Sequence, residues 1–296
     1  MFKSFLKIIS KKKARKKFIN KYIISDKSYA KKRYYKTFSK NLNLKSPETF
    51  NEKIQWIKLY DRNPLMNELA DKYKVRNYVK EKIGEKYLNN LLGVYNSYYD
   101  FNKDLNNLPD KFIIKANHGS GWNEFIDKNS YDSKLIKEKI NFWLKSNYYY
   151  KGREWNYKNI KPLIICEELI QTIPNKHSTP NDYKVFCFNG DPLFIQVDSN
   201  RFDIHNRNLY DKNWELIQVE LAFPNIQKDM PPPKNLDKII HLAKILAQGF
   251  NFVRIDFYDE NKIIFGEFTF YPGNGFEKFV PQKYDEYFGQ FLNIKK

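Results

Sequence analysis

The sequence predicts an α+β protein. Three observations carry that expectation. Apolar stripes with helical spacing occur along much of the chain. Between them stand short runs rich in β-branched and aromatic residues, and the clearest pair flanks Asn189-Gly190, a hairpin signal. No internal repeat, heptad or apolar run of about 18 residues or more breaks the mixture, so nothing is expected to span a membrane. With 296 residues, one large domain or two to three subdomains can each bury a core.

The formal net charge is +18, and it is concentrated. Residues 1–40 hold thirteen Lys and two Arg against the single acid Asp26, which leaves +4 for the other 256 residues. The body is therefore not a general cationic binder, and no nucleic-acid partner is expected. Phe2, Phe5, Leu6 and Ile9 form one apolar stripe, flanked by Lys3 and Lys7 and followed by Lys11, Lys12, Lys13, Arg15, Lys16 and Lys17. Such a basic amphipathic helix suits an anionic membrane surface; a solvated lysine-rich leader is the alternative. No secretory signal is expected. Cys166 and Cys187 lie in separate apolar runs and read as buried free thiols of a reducing cytosol. The four histidines lack metal-ligand spacing. The expected location is cytoplasmic, with the leader on the inner face of the membrane.

In chain order, Ser46-Pro47 reads as a helix start, with Phe50, Ile54, Ile57 and Tyr60 as the buried stripe and Asp61–Pro64 as the break. A second helix is expected over Asp71–Ile83, with Val75, Val79 and Ile83 inward and Gly84 as its stop. Leu91–Tyr95 is a short strand. A β-run from Lys111 then carries Lys115 into the loop His118-Gly119-Ser120-Gly121. Glycines let backbone N–H groups turn around an anion, and a neighbouring lysine adds a point charge. No Walker A pattern occurs, and an ordinary hairpin loop is the competing reading. Asn123–Asp127 returns as a strand, Ser133–Ser146 is a helix, and Asn147–Asn159 is an aromatic, polar loop. Pro162–Ile170 is a buried strand that ends on Glu167-Glu168. Asp182–Phe188 and Leu193–Asp198 flank the hairpin turn, with Asp182 and Lys184 on one face and Arg201 beyond. A helix over Leu236–Gly249 follows Pro231–Pro233, and a short helix with Tyr284, Tyr287 and Phe288 closes the chain.

The stretch from Val253 to Gly275 organises the rest. It reads as two strands around a polar turn at Asp259–Lys262, with Arg254, Asp256 and Tyr258 on one face. A four-residue loop sets Tyr258 opposite Ile263, so Asp256 faces Phe265 and Arg254 faces Glu267, which makes Asp256 and Glu267 diagonal neighbours roughly 7–8 Å apart. Two carboxylates aimed at one space repel. A Mg²⁺ ion shared with substrate phosphates would relieve that, whereas an exposed hairpin with an Arg254–Glu267 pair is the bland alternative.

Four stretches now stand in order: Ala70-Asp71-Lys72; Ile113-Ile114-Lys115 with His118-Gly119-Ser120-Gly121; Ile165-Cys166-Glu167-Glu168-Leu169-Ile170; and Arg254-Ile255-Asp256 with Glu267-Phe268-Thr269 and Pro272-Gly273. Together they resemble the ATP-grasp superfamily of carboxylate–amine ligases. Within it they are most similar to the TupA-like branch linked to cell-surface polysaccharide and teichuronopeptide synthesis. The resemblance runs over residues 46–290 and leaves the leader outside. It implies the ATP-grasp fold, with two α+β subdomains clasping ATP. The divisions it suggests are a basic leader at 1–45, an N-terminal helical or α/β part at 46–110, a small subdomain at 111–170 and a metal-binding subdomain at 171–296.

The resemblance also implies roles. Lys72 and Lys115 would hold the α- and β-phosphates, and His118, Gly119, Ser120 and Gly121 would close over the β- and γ-phosphates. Glu167, Glu168 and Ile170 would line the adenine and ribose pocket. Asp256 and Glu267, with Thr269 beside them, would bind Mg²⁺. Arg254 would face the transferring phosphoryl group, with Lys184 and Arg201 near the γ-phosphate or the acceptor. Thr269 stands where many such ligases carry Asn, and Trp122 where a smaller residue is common. The implied chemistry phosphorylates a carboxylate with ATP, and an amine then displaces phosphate from the acyl phosphate. Positioning and electrostatics carry such a reaction, and no side-chain nucleophile is needed. The implied partners are ATP, a sugar carboxylate such as a hexuronic acid of a capsule, and a small amine or amino acid. A glycosyltransferase of the same pathway is an alternative, although no clear D-x-D motif occurs. A non-catalytic ATP-binding protein is another.

Overall fold

The computed structural model describes residues 23–170, 181–199, 205–226 and 230–294. The leader's apolar stripe and Arg201 lie outside the described residues. In chain order the helices are α1 (Asp26–Phe38), α2 (Phe50–Tyr60), α3 (Leu65–Ala70), α4 (Val75–Lys82), α5 (Tyr98–Asp104), α6 (Ser133–Lys145), α7 (Tyr149–Gly152), α8 (Leu236–Leu246) and α9 (Lys283–Gln290). The strands are β1 (Leu91–Tyr95), β2 (Lys111–Ala116), β3 (Asn123–Asp127), β4 (Ile164–Glu167), β5 (Asp182–Phe188), β6 (Asp191–Ser199), β7 (Asn206–Tyr210), β8 (Leu216–Ile217), β9 (Glu220–Leu221), β10 (Phe252–Asp259), β11 (Ile263–Thr269) and β12 (Phe279–Val280).

They form a four-stranded sheet in the order β1-β4-β2-β3 and a six-stranded sheet in the order β11-β10-β5-β6-β7-β8, with β12 paired to β9 apart from both. All the pairings are antiparallel. The expected α+β class is therefore observed. No helix among the described residues is long and apolar enough to cross a membrane.

Two separate cores follow from the strand alternation. The small sheet buries Phe112, Ile114 and Ile126 with Phe101 of α5 and with Ile136, Ile140 and Trp143 of α6. On the large sheet, Val185, Val253, Ile255 and Phe257 share a core with Ile239, Leu242, Ala243 and Leu246, the apolar stripe of α8. Phe186, Phe194 and Phe252 bring in Phe50 of α2 and Phe288 of α9; Phe186 and Phe194 stack at 4.3 Å, and Phe194 meets Phe288 at 4.5 Å. The N-terminal helices α2, α3 and α4 contribute Ile54, Ile57, Met66, Leu69, Val75 and Val79 to this same core. Cys166 and Cys187 are buried and free, and burial pushes both thiols up.

Three local expectations need correction. Helix α2 starts at Phe50, not after Ser46, because Ser46 closes a turn with Asn43: its N–H donates to Asn43 Oδ1 at 3.0 Å and its carbonyl accepts from Asn43 Nδ2 at 2.6 Å. The start signal is a capping box three residues on. Thr49 Oγ1 accepts from Glu52 N at 3.2 Å, and the Glu52 carboxylate reaches back to Thr49 N at 3.4 Å. Thr49→Ala should therefore cost about 1 kcal/mol, read as a lowered urea midpoint. The helix expected over Asp71–Ile83 begins only at Val75, because the Asp71 carboxylate accepts from Tyr73 N at 2.9 Å and holds a turn. The expected loop Asn147–Asn159 contains α7 and a 3₁₀ turn at Trp155–Tyr157, since its aromatics are buried: Tyr148, Tyr149 and Tyr157 are all under a tenth exposed.

Candidate active site

The site grows from the face of the large sheet that α8 does not cover. The lower half of that face is phenylalanine; the upper half is charged. Asp256 of β10 stands directly opposite Glu267 of β11, Arg254 opposite Thr269, and Asp256 neighbours Lys184 of β5 on its other side. This register differs from the sequence expectation, which set Asp256 against Phe265 and Arg254 against Glu267. Two one-residue changes explain the difference: the connecting turn is a residue shorter than expected, so Asp259 meets Ile263 and Tyr258 meets Ile264, and a β-bulge between Asp256 and Phe257 then leaves Gly266 as an extra residue on β11. Strict alternation would place Phe265 and Glu267 on one face. The bulge sends Phe265 into the core, 5% exposed, and leaves Glu267 across from Asp256. Gly266 suits the place, because a Cβ there would lie 3.0 Å from the Asp256 carbonyl oxygen.

These charges form one connected set. Arg254 grips Asp256 with two bonds, Nε to Oδ1 at 2.7 Å and Nη2 to Oδ2 at 2.6 Å, and lies 3.6 Å from Glu267. Lys72, entering from the link between α3 and α4, meets Glu267 Oε2 at 3.3 Å and donates to the Gly119 carbonyl at 3.0 Å. The glycine loop and the large sheet therefore touch through one ammonium. Thr269 Oγ1 lies 3.5 Å from Glu267 Oε1. Lys184, 7% exposed, sits between Asp182 at 2.5 Å and Asp198 at 3.2 Å, and Asp198 is also held by Arg207 at 2.6 Å.

On the small sheet, Lys115 pairs with Glu167 at 2.6 Å, and Arg76 approaches the same carboxylate at 3.4 Å. Just beyond Glu167 lies a cavity of about 220 Å³, lined by Asn89, Glu168, Leu169 and Ile170 on one side and by Glu260, Asn261, Lys262 and Ile264 of the β10–β11 hairpin on the other. The segment that follows β4 and the organising hairpin thus share one hollow.

A family profile described as TupA-like ATPgrasp matches residues 52–293. The chain belongs to the TupA-like ATP-grasp family. Its structure is similar to those of several ATP-grasp ligases. An L-amino acid ligase from Bacillus licheniformis is 13% identical, with 76% of this chain and 49% of that one covered at a TM-score of 0.44. The D-alanine–D-alanine ligase from Bacillus anthracis complexed with ATP is 12% identical, covering 68% and 53% at 0.38. The ATP-grasp ligase PsnB, complexed with Mg, ADP and a phosphomimetic variant of its minimal precursor, is 10% identical, covering 74% and 57% at 0.40. The chain spans about half the length of these solved structures. No curated protein matches it.

In this TupA-like chain, the described residues named from sequence fall into four groups, with His118 apart from them. Lys72, Gly119, Arg254, Asp256, Glu267 and Thr269 form the connected set, and Lys184 adjoins it across the β5–β10 ladder. Lys115 and Glu167 pair with each other. Glu168 and Ile170 line the hollow. Ser120 and Gly121 complete the glycine turn, with Gly121 in the left-handed region at φ +70°. His118 does not face the loop's open side: it is 1% exposed, with Nε2 at 2.9 Å from the Trp143 carbonyl oxygen. Burial lowers its pKa, so it serves as a neutral strut behind the loop. Gly119 is pressed against the Trp122 ring, which also meets the His118 ring at 5.3 Å; a Cβ there would come within 2.6 Å of it.

Sequence reasoning missed Asn117, which is fully buried. Its carbonyl accepts from Lys72 N at 3.0 Å, its Nδ2 donates to Asp71 Oδ1 at 2.9 Å, and its Oδ1 accepts from Leu163 N at 2.8 Å. One side chain thereby ties together the turn carrying Lys72, the glycine loop and the approach to β4. An amide residue directly after the β-run, at the entry to the glycine loop, was the available signal.

The electrostatics suit a cation shared with phosphate. Burial pushes the Asp256 carboxyl up to about 6, against the pull of Arg254. Burial also works against charge on Glu267, but Lys72 and Arg254 more than offset it and hold that pKa below the ordinary carboxylate value. No group of three or more His, Cys, Asp or Glu that could hold a metal occurs among the described residues. Two facing carboxylates with a hydroxyl nearby form an incomplete oxygen set. That fits Mg²⁺, which commonly takes one or two carboxylates and fills its other positions with substrate phosphate oxygens and water.

Proposed function

We propose that this chain is an ATP-dependent carboxylate–amine ligase acting through an acyl phosphate, with a sugar carboxylate of a cell-surface polysaccharide as the acceptor. The observation that carries the reading is the Asp256–Glu267 pair, facing each other across the ladder with Arg254 and Lys72 bonded to them. Mg²⁺ held by these carboxylates, with Thr269 alongside, would neutralise phosphate oxygens as charge builds on them. Lys72 and Lys115 now hold carboxylates; each can pass its ammonium to a phosphate oxygen, trading one anion for another. Arg254 is buried. Burial alone would disfavour its charge, but Asp256 and Glu267 outweigh that, so it stays cationic beside the phosphoryl group in flight. The glycine turn supplies backbone N–H groups, and the cavity between Glu168 and Lys262 would take the base and ribose. The division at residues 46, 111 and 171 belongs to this proposal, although the small-sheet core already takes in Tyr95, Phe101 and Leu108.

The basic residues 1–40 would hold the enzyme on an anionic membrane surface near lipid-linked glycan. The test of the activity is release of ADP and phosphate on mixing the protein with ATP, Mg²⁺, an amine and a panel of uronic acids. No release from any of them, together with no binding of ATP, would overturn the ligase reading.

A pH dependence follows from Asp256. Below its pKa of about 6 the folded protein protonates this ligand, so Mg²⁺ must compete with a proton. Mg²⁺-dependent nucleotide binding should weaken by up to roughly tenfold per pH unit below that value and level off above it. Titrating a fluorescent ATP analogue at fixed Mg²⁺ across this range checks it.

A further inference from the structure

Helix α1 lies outside residues 52–293, the span matched by the family, yet it is bonded toward the end of β11. Asp26 in its first turn accepts from the Tyr149 hydroxyl at 2.6 Å and pairs with Arg153 Nη1 at 2.9 Å. Arg153, only 6% exposed, also donates to the Ile24 carbonyl at 3.2 Å. The segment carrying Arg153 is fastened in turn to Asn274, whose Nδ2 donates to the Gly152 carbonyl at 2.9 Å and to Glu154 Oε1 at 2.7 Å.

Asn274 belongs to the turn Pro272–Gly275, three residues after Thr269. Gly273, Asn274 and Gly275 there all take left-handed φ values of 52°, 61° and 68°. A turn of that kind needs external grips. Helix α2 provides some, through Gln55 Nε2 to the Asn274 and Gly275 carbonyls at 2.8 and 2.9 Å. Helix α1 provides others: Ala30 and Tyr34 share an apolar cluster with Phe276, and the Arg33 guanidinium lies 4.4 Å above the Phe276 ring.

The opposite side of α1 bears Lys27, Lys31, Lys32, Tyr35 and Lys36, all exposed. Lys27 and Lys31, and Lys32 and Lys36, are pairs four residues apart, so like charges crowd one surface and gain from a negative partner. The helix is held by a small cluster, with only Ala30, Tyr34, Leu42 and Phe276 buried in it. An element with so little core opens locally at low cost, and a ligand on its outer face shifts it toward the packed state.

We propose that docking of the lysine face of α1 on an anionic phospholipid surface orders the turn behind Thr269, through Asp26, Arg153 and Asn274. This rests on the membrane-surface part of the functional reading above and adds a regulatory consequence to it. Asp26, Arg153 and Asn274 are positioning residues; none touches the carboxylate pair.

The experiment is hydrogen exchange on the full chain with phosphatidylglycerol vesicles, and with phosphatidylcholine vesicles as control. With the anionic vesicles, exchange should slow about fivefold or more at 26–38 and also at 149–154 and 271–276, in keeping with ordinary coupling energies. Phosphatidylcholine should change none of them. Replacing Lys27, Lys31, Lys32 and Lys36 together with Gln should abolish the slowing at 149–154 and 271–276. Asp26→Asn should keep vesicle binding but lose the change at those two segments. Asn274→Gly, which retains the left-handed backbone but removes the amide's bonds to Gly152, Glu154 and Lys58, should lose it at 271–276, and an unchanged urea midpoint in Asp26→Asn guards against a folding defect there. Failure to bind anionic vesicles would remove both the membrane reading and the coupling. Binding with protection confined to α1, or an unchanged response in Asp26→Asn, would remove the coupling and leave the membrane reading standing.

Discussion

Asp256→Asn should cut ADP release by roughly 10²–10³-fold, the size of loss expected when a preorganised charge contact to the transition state is removed. The substitution keeps shape and removes charge. Asp256 is 3% exposed, so solvent cannot replace the missing carboxylate oxygen. Two effects combine. On the proposed function one of the two anionic ligands for Mg²⁺ is gone, and Arg254 exchanges its two-bond charged pair for at most one bond to an amide oxygen, with Glu267 at 3.6 Å. The second effect also lowers stability: uncoupling one partner of a buried pair costs about 3–5 kcal/mol at most, and Glu267 moderates it here. Measuring ADP release, nucleotide binding and a urea melt on the same preparation separates the two. A folded Asp256→Asn protein releasing ADP at the wild-type rate would overturn the assignment of the carboxylate pair.

The largest stability effect is expected at Phe252. Its ring is fully buried at the start of β10, on the same face as Arg254 and Asp256. It lies 5.2 Å from the ring of Phe50, 5.3 Å from Phe188 and 6.0 Å from Phe186. Phe252→Ala should cost about 3–5 kcal/mol, because the neighbouring rings are fixed on two different elements, helix α2 and strand β5, and cannot collapse together into the space. A denaturant midpoint with an unchanged slope reads this directly. A loss below about 1 kcal/mol would mean that the aromatic cluster under the site is not the support described here. The cluster matters to the chemistry because Phe252 and Asp256 share one strand: whatever loosens the lower half of that face loosens the register of the upper half.

Much of this was legible in the residues. Alternation at Val253–Asp259 and the Asn189-Gly190 signal identified β10 and the β5–β6 hairpin, because a half-buried strand must alternate and a two-residue turn needs those residue types. The order Ala70-Asp71-Lys72, Lys115 with its glycine loop, and Arg254-Ile255-Asp256 carried the family, which the profile over residues 52–293 bears out. The capping box at Thr49 and Glu52 was equally present in the chain, but the stronger proline signal three residues earlier drew the helix start too far forward.

The sequence by itself determined the main strands and helices around the site, which side chains bring charge to one face, and which family the chain joins. Those follow from local periodicity and residue chemistry. Only the tertiary structure decided that Gly266 bulges so that Asp256 meets Glu267, that Lys72 bridges Glu267 to the Gly119 carbonyl, that Lys115 answers Glu167, and that Asp26 reaches Arg153. Each of these depends on a through-space distance between segments far apart in the chain, or on one inserted residue that a period of two does not record.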